Sequence, residues 1–75
     1  MKLSEFRQAV IDEFGEAYGA IVTADLVIGE LGDRTADQAL ADGASAREVW
    51  LALCRALDVP RSHWYGAGRA DPRTA

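Results

Sequence analysis

Apolar residues recur with helical spacing almost from the start of this chain. Phe6, Val10 and Phe14, with Ile11 alongside, fall on one side of a helix, while Arg7, Asp12 and Glu13 fall on the other. Ser4 stands where an N-cap hydroxyl would accept a free backbone N–H, and Gly15 where a left-handed residue would end the helix. The pattern predicts a first helix over about residues 5–14. A second is predicted over 16–31, closed by Gly32. At about 100° per residue, Ala17, Tyr18, Ala20, Ile21, Ala24, Val27, Ile28 and Leu31 share one broad half of that helix, which reads as a core wall. Gly19 and Gly29 mark places where it would bend or break. The β-branched cluster at 21–28 also suits a strand, but a lone strand has no obvious partner in the chain, so the helix is preferred.

Two capped segments follow. Thr35-Ala36-Asp37-Gln38 has the form of a capping box and opens a short helix of about 36–42 that stops at Gly43. Ser45-Ala46-Arg47-Glu48 repeats the device and opens a longer helix of about 46–57, with Val49, Trp50, Leu53, Cys54 and Leu57 on its apolar face. Val59-Pro60 ends it, because proline lacks the N–H and restricts the residue before it. Pro60 suits the first position of one more turn, to Tyr65, and the glycine- and proline-bearing remainder reads as a flexible tail. The expected fold is all-α: a compact orthogonal bundle of four to five short helices, one domain over 1–65 and a tail over 66–75.

Size and charge narrow what such a bundle can do. A chain of 75 residues buries only about 60% of its unfolded surface, so its apolar residues are needed for one core and a deep cleft is not expected. Residues 1–33 carry two bases and seven acids, a net −5, and residues 34–75 carry six bases and five acids, a net +1. The acidic front repels phosphate and suits a basic protein partner; nucleic acid is disfavoured although the later arginines leave it open. Charged Asp25, Glu30 and Asp33 interrupt the most apolar stretch, so no membrane span is expected, and the early acids do not read as a signal peptide. One cysteine without a disulfide partner fits the cytoplasm.

Candidate chemistry is sparse. Cys54 has core spacing with Trp50 and Leu57, and the single histidine, His63, lies beyond the proline break, so no catalytic pair is expected. Cys54, Asp58 and His63 match no zinc spacing, and the glycines form no phosphate loop. No catalytic residue, metal or cofactor is therefore assigned. Asp25 falls inside the apolar half of the second helix, where a carboxylate needs an answer. It is expected to be a buried structural acid hydrogen-bonded by an indole of Trp50 or Trp64, by Thr35 or by Arg34. The contact surface expected from sequence is the edge formed by Arg61, His63, Trp64 and Tyr65, extended by Arg47, Leu51 and Arg55 on the outer side of the 46–57 helix. Trp64 has a structural alternative, folding back to close the core.

Met1-x-Leu3-x-x-Phe6, Phe14-Gly15, Glu30-Leu31-Gly32-x-Arg34-Thr35, Ala39-Leu40, Gly43, Val49-Trp50-x-x-Leu53-Cys54 and Asp58-Val59-Pro60 together resemble a short actinobacterial domain of unknown function, the family numbered three-zero-four-six. The resemblance covers residues 1 to about 62. It implies a small cytoplasmic protein without an established activity, often encoded near genes of homologous recombination. Members tend to carry histidine after the aspartate matching Asp25, where this chain has Leu26. The combined expectation is a non-enzymatic protein-protein interaction module. The alternative is a helix-turn-helix-like nucleic-acid-binding accessory protein in a repair or recombination context, with Arg47, Leu51 and Arg55 facing the groove.

Overall fold

In the computed structural model, which describes residues 1–64, the first helix, α1 (Leu3–Phe14), starts two residues before its expected position. The Glu5 carboxylate accepts the Lys2 backbone N–H at 2.7 Å, and Lys2 is the extended residue at the helix entry. Ser4 therefore lies within the first turn and is not the cap. Gly15, at φ 84°, ends α1 and at once begins α2 (Glu16–Asp25), so the two helices are joined by a single residue.

The second helix is where the structure departs from the sequence reading. It stops at Asp25, and Leu26 turns extended. Ile28 then forms an isolated antiparallel bridge with Arg34, across a turn in which Gly29–Leu31 is one turn of 3-10 helix and Gly32 and Asp33 both have left-handed φ. The strand-like cluster thus finds a partner only six residues on. Arg34 fixes this loop: its Nε donates to the Leu31 carbonyl at 2.6 Å and its guanidinium reaches Asp42 at 2.8 Å.

The rotation of α2 is set by Gly19. A Cβ on that residue would lie 2.7 Å from Val10 Cγ1 and 3.4 Å from the Val10 carbonyl oxygen, so the absent side chain is what lets α1 and α2 approach. With Gly19 inward, Val22 and Thr23 are buried beside it, and the Thr23 hydroxyl donates within the helix to the Gly19 carbonyl at 3.1 Å. Ala17, Tyr18, Ala20, Ile21 and Ala24, expected to form the core wall, are all exposed, and so is Val27. The wheel located an apolar stripe correctly but assigned it to the wrong side. Ile28 and Leu31 reach the core by the loop, not by the helix.

Both expected helices of the second half form. α3 (Ala36–Ala41) has the complete capping box: Thr35 Oγ1 accepts the Gln38 N–H at 3.1 Å and Gln38 Oε1 accepts the Thr35 N–H at 2.9 Å. α4 (Ala46–Ala56) begins with the Glu48 N–H donating to Ser45 Oγ at 3.1 Å. It ends before Asp58, whose φ of 56° turns the chain towards Pro60. A 3-10 turn, Arg61–His63, closes the described chain.

α4 is the central element. Trp50, Val49, Leu53 and Cys54 are almost wholly enclosed, together with Phe6 from α1. The Trp50 ring meets the edges of Phe6 and Phe14 in T-shaped contacts, with centroids 6.4 and 6.5 Å apart. The fold is all-α, with four α-helices and no strand among the described residues. Tyr65 and the 66–75 segment lie outside the described residues.

Candidate functional site

The edge expected to bind a partner is largely engaged with the protein's own core. The Trp64 indole N–H donates to the Val59 carbonyl at 2.9 Å, and the Trp64 carbonyl accepts the Trp50 indole N–H. Trp64 is half-buried against the core, which is the fold-back arrangement. Arg61 covers the outer face of that ring, its guanidinium carbon 5.2 Å from the centroid. His63 Nδ1 lies 3.1 Å from Glu13 Oε1, an ion pair when the imidazole is protonated, and the Glu13 side chain is only 13% exposed. Together these contacts fasten the last turn to α1 and α4. Tyr65 is outside the described residues.

On the outer side of α4, Arg47 is exposed and Leu51 is half-buried at the core margin. Arg55 is exposed but already paired: its Nε lies 2.8 and 3.0 Å from the two Glu30 carboxylate oxygens, tying α4 to the 3-10 turn at Gly29–Leu31. Asp25 is exposed at the end of α2 and is not a buried structural acid. Its solvation needs no protein donor, and the groups expected to answer it are occupied elsewhere: Arg34 on Leu31 and Asp42, Thr35 in its capping box, and both indoles on backbone carbonyls.

Cys54 is sealed. Its side chain is buried, and its thiol pKa is pushed up from 9.0 to about 12 by burial first and by the nearby Glu13 charge second, with Arg55 opposing. Such a thiol stays protonated and is not a nucleophile at neutral pH. His63 is exposed on the surface and held by Glu13. Among the described residues no three His, Cys, Asp or Glu side chains gather as a metal set, and no helix is long and apolar enough to cross a membrane.

An open groove among the described residues lies elsewhere, between α1, α2 and α3. This groove, of about 530 Å³, has Val10, Gly19 and Thr23 at its base and Ile11, Ala20 and Ala24 along its sides. Arg7, Glu16 and Asp37 form its polar border, where the Arg7 guanidinium sits 2.9 Å from Asp37 Oδ1 as a charge contact without hydrogen-bond alignment. At about 100° per residue, Ala17 and Ile21 continue the apolar surface from Ala20 and Ala24 over the crest of α2. Ile21 is 56% and Tyr18 53% exposed, and Ile11 is 39% exposed on the facing helix. Sequence reasoning missed this surface because it assigned the same stripe to the core. The warning was Asp25 itself, a carboxylate in mid-stripe without a committed cationic partner, which is easily accommodated only if the stripe faces water.

A family model described as "Protein of unknown function (DUF3046)" matches residues 1–62. The chain belongs to this family. The DUF3046 match spans all four helices and both sides of the groove, and it ends within the 3-10 turn just before His63 and Trp64. No curated protein and no solved structure matches the chain.

Proposed function

We propose that this DUF3046 protein is a non-enzymatic protein-interaction module whose contact surface is the apolar α1–α2 face. The observation that carries the reading is an open groove lined by Ile11, Ala20 and Ala24, with Ile21 exposed next to Ala24 on the crest of α2. A protein of this size has little apolar surface to spare, and an open groove lined by apolar side chains is characteristic of a contact site. The sealed Cys54 thiol and the engagement of His63 by Glu13 weigh against turnover centred on those two residues. The edge at 47–64 is the weaker contact candidate, since Arg55, Arg61, His63 and Trp64 all have partners within the chain. Arg55, one of the three residues that a helix-turn-helix reader would turn to the DNA groove, is paired with Glu30.

The test is a comparison of baits in native lysate: the unaltered chain, Ile21→Ser, and the double variant Arg61→Ala, Trp64→Ala. A partner retained by the unaltered chain and by the double variant but lost with Ile21→Ser is the expected result. Because Ile21 is exposed, its replacement leaves the core untouched. Loss with a folded double variant and retention by Ile21→Ser would move the contact surface back to the 47–64 edge.

A further inference from the structure

Resting on the reading of this face as a contact surface, we infer that the α1–α2 groove receives the apolar side of a basic amphipathic helix from another protein. Three features of the face select that occupant. The groove is walled by helices, so it offers no strand edge to which an extended segment could add, and recognition must come through side chains entering a groove. Its α2 side consists of small residues, Gly19, Ala20, Thr23 and Ala24, which leave room for a helix ridge, while Val10 and Ile11 supply larger apolar contacts from α1 and Ile21 stands exposed on the crest of α2.

Charge decides the sign of the partner. α1 and α2 together carry Glu5, Asp12, Glu13, Glu16 and Asp25 against Arg7 alone, a net −4, which equals the charge of the whole chain. Of these only Arg7 and Glu16 line the groove, together with Asp37 of α3. Arg7 is answered by Asp37, so Glu16 is the lining charge that makes no ion pair with any described residue, and the other carboxylates of α1 and α2 add to the field from outside the groove. A helix with lysine or arginine flanking its apolar stripe would meet Glu16 at the groove border and be drawn in by the net negative field of the two helices. The same field repels nucleic-acid and anionic-lipid phosphates and a second copy of this face.

The experiment is a selection from a display library of helical peptides about 16 residues long, long enough for helicity to be reachable on docking, with positions drawn evenly from alanine, leucine, lysine and glutamate. The bait is the full chain. Enriched clones are expected to carry alanine and leucine at three- and four-residue spacing, with lysine exceeding glutamate severalfold at the flanking positions. Their binding should weaken as salt is raised, and an Ala24→Arg bait, altered at an exposed groove position, should bind them at least on the order of tenfold less tightly. Chemical-shift mapping of the labelled chain with one enriched peptide should place the changes at Ile11, Ala20 and Ala24.

Glutamate-rich clones, clones bound equally by the Ala24→Arg bait, or no enrichment would each overturn the inference. Shifts confined to Arg47, Leu51 and Arg61 would also overturn it while leaving the broader interaction-module reading standing. Groove shifts that grow with protein concentration in the absence of peptide would assign the face to a second copy instead.

Discussion

Replacing Trp50 with alanine should remove a large share of the protein's stability. Trp50 is 1% exposed at the centre of α4, its ring touches Phe6 and Phe14 edge-on, and its indole N–H is the donor that holds the Trp64 carbonyl. Truncation of a buried tryptophan typically costs about 3–5 kcal/mol, and the orphaned carbonyl adds to the loss. A chain of this length has on the order of 4–11 kcal/mol in total. Urea denaturation followed by circular dichroism should therefore show either a midpoint reduced by about a third or more or no folded baseline. Trp50→Phe, which keeps an aromatic ring but not the donor, should cost less than the alanine variant. A midpoint unchanged by Trp50→Ala would mean that α4 is not the centre of the core.

The second large effect is a loss of stability at high pH that depends on Cys54. The folded state holds the thiol proton up to about pH 12, whereas the unfolded chain releases it near 9. Below pH 9 both states are protonated and the stability is fully present. Between 9 and 12 the unfolded state binds fewer protons than the folded one, so stability falls as pH rises, by up to ~1.4 kcal/mol per pH unit and ~4 kcal/mol across the window. Other groups titrate in the same range, so the measurement is the difference between the unaltered chain and Cys54→Ala, followed from pH 7 to the highest pH at which both still fold. The variant should be less stable at pH 7, by about 1–3 kcal/mol, and should lose less stability above pH 9. Parallel curves would show that the thiol is open to water, and the case against a reactive Cys54 would fail.

Local signals were the legible part of this fold. The capping box at Thr35, the serine cap at Ser45, the stop at Val59-Pro60 and the apolar face around Trp50 each depend on neighbours within a turn or two, and each appears where the sequence places it. The rotation of α2 was illegible for a different reason. It involves the close packing of one helix on another, Gly19 against Val10, and periodicity reports that a stripe exists without saying what lies opposite it. Because the helix was extended through Leu31, Ile28 and Leu31, which do reach the core, lent their weight to the wrong face. The break at Asp25 leads into a tight turn held by the Ile28–Arg34 bridge and by Arg34 on Leu31, contacts that helical periodicity does not report.

The candidate site inherited that error. Assigning the 17–24 stripe inward left the Arg61–Trp64 turn as the only aromatic edge available for a partner, whereas Trp64 is hydrogen-bonded into the core and α2 presents its alanines and Ile21 to water. Arg55 is a similar case. Its position on the outer side of α4 is periodic and readable, but its partner Glu30 lies in a loop that periodicity had drawn as helix.

The outward orientation of α2 is the claim on which the contact surface depends, and side-chain accessibility to a soluble paramagnetic agent measures it residue by residue. In methyl spectra of the full chain, the signals of Ala20, Ile21 and Ala24 should be strongly broadened, while those of Val22 and Leu53 remain sharp. Sharp Ala20, Ile21 and Ala24 signals with a broadened Val22 would turn the stripe back into the core and contradict the account.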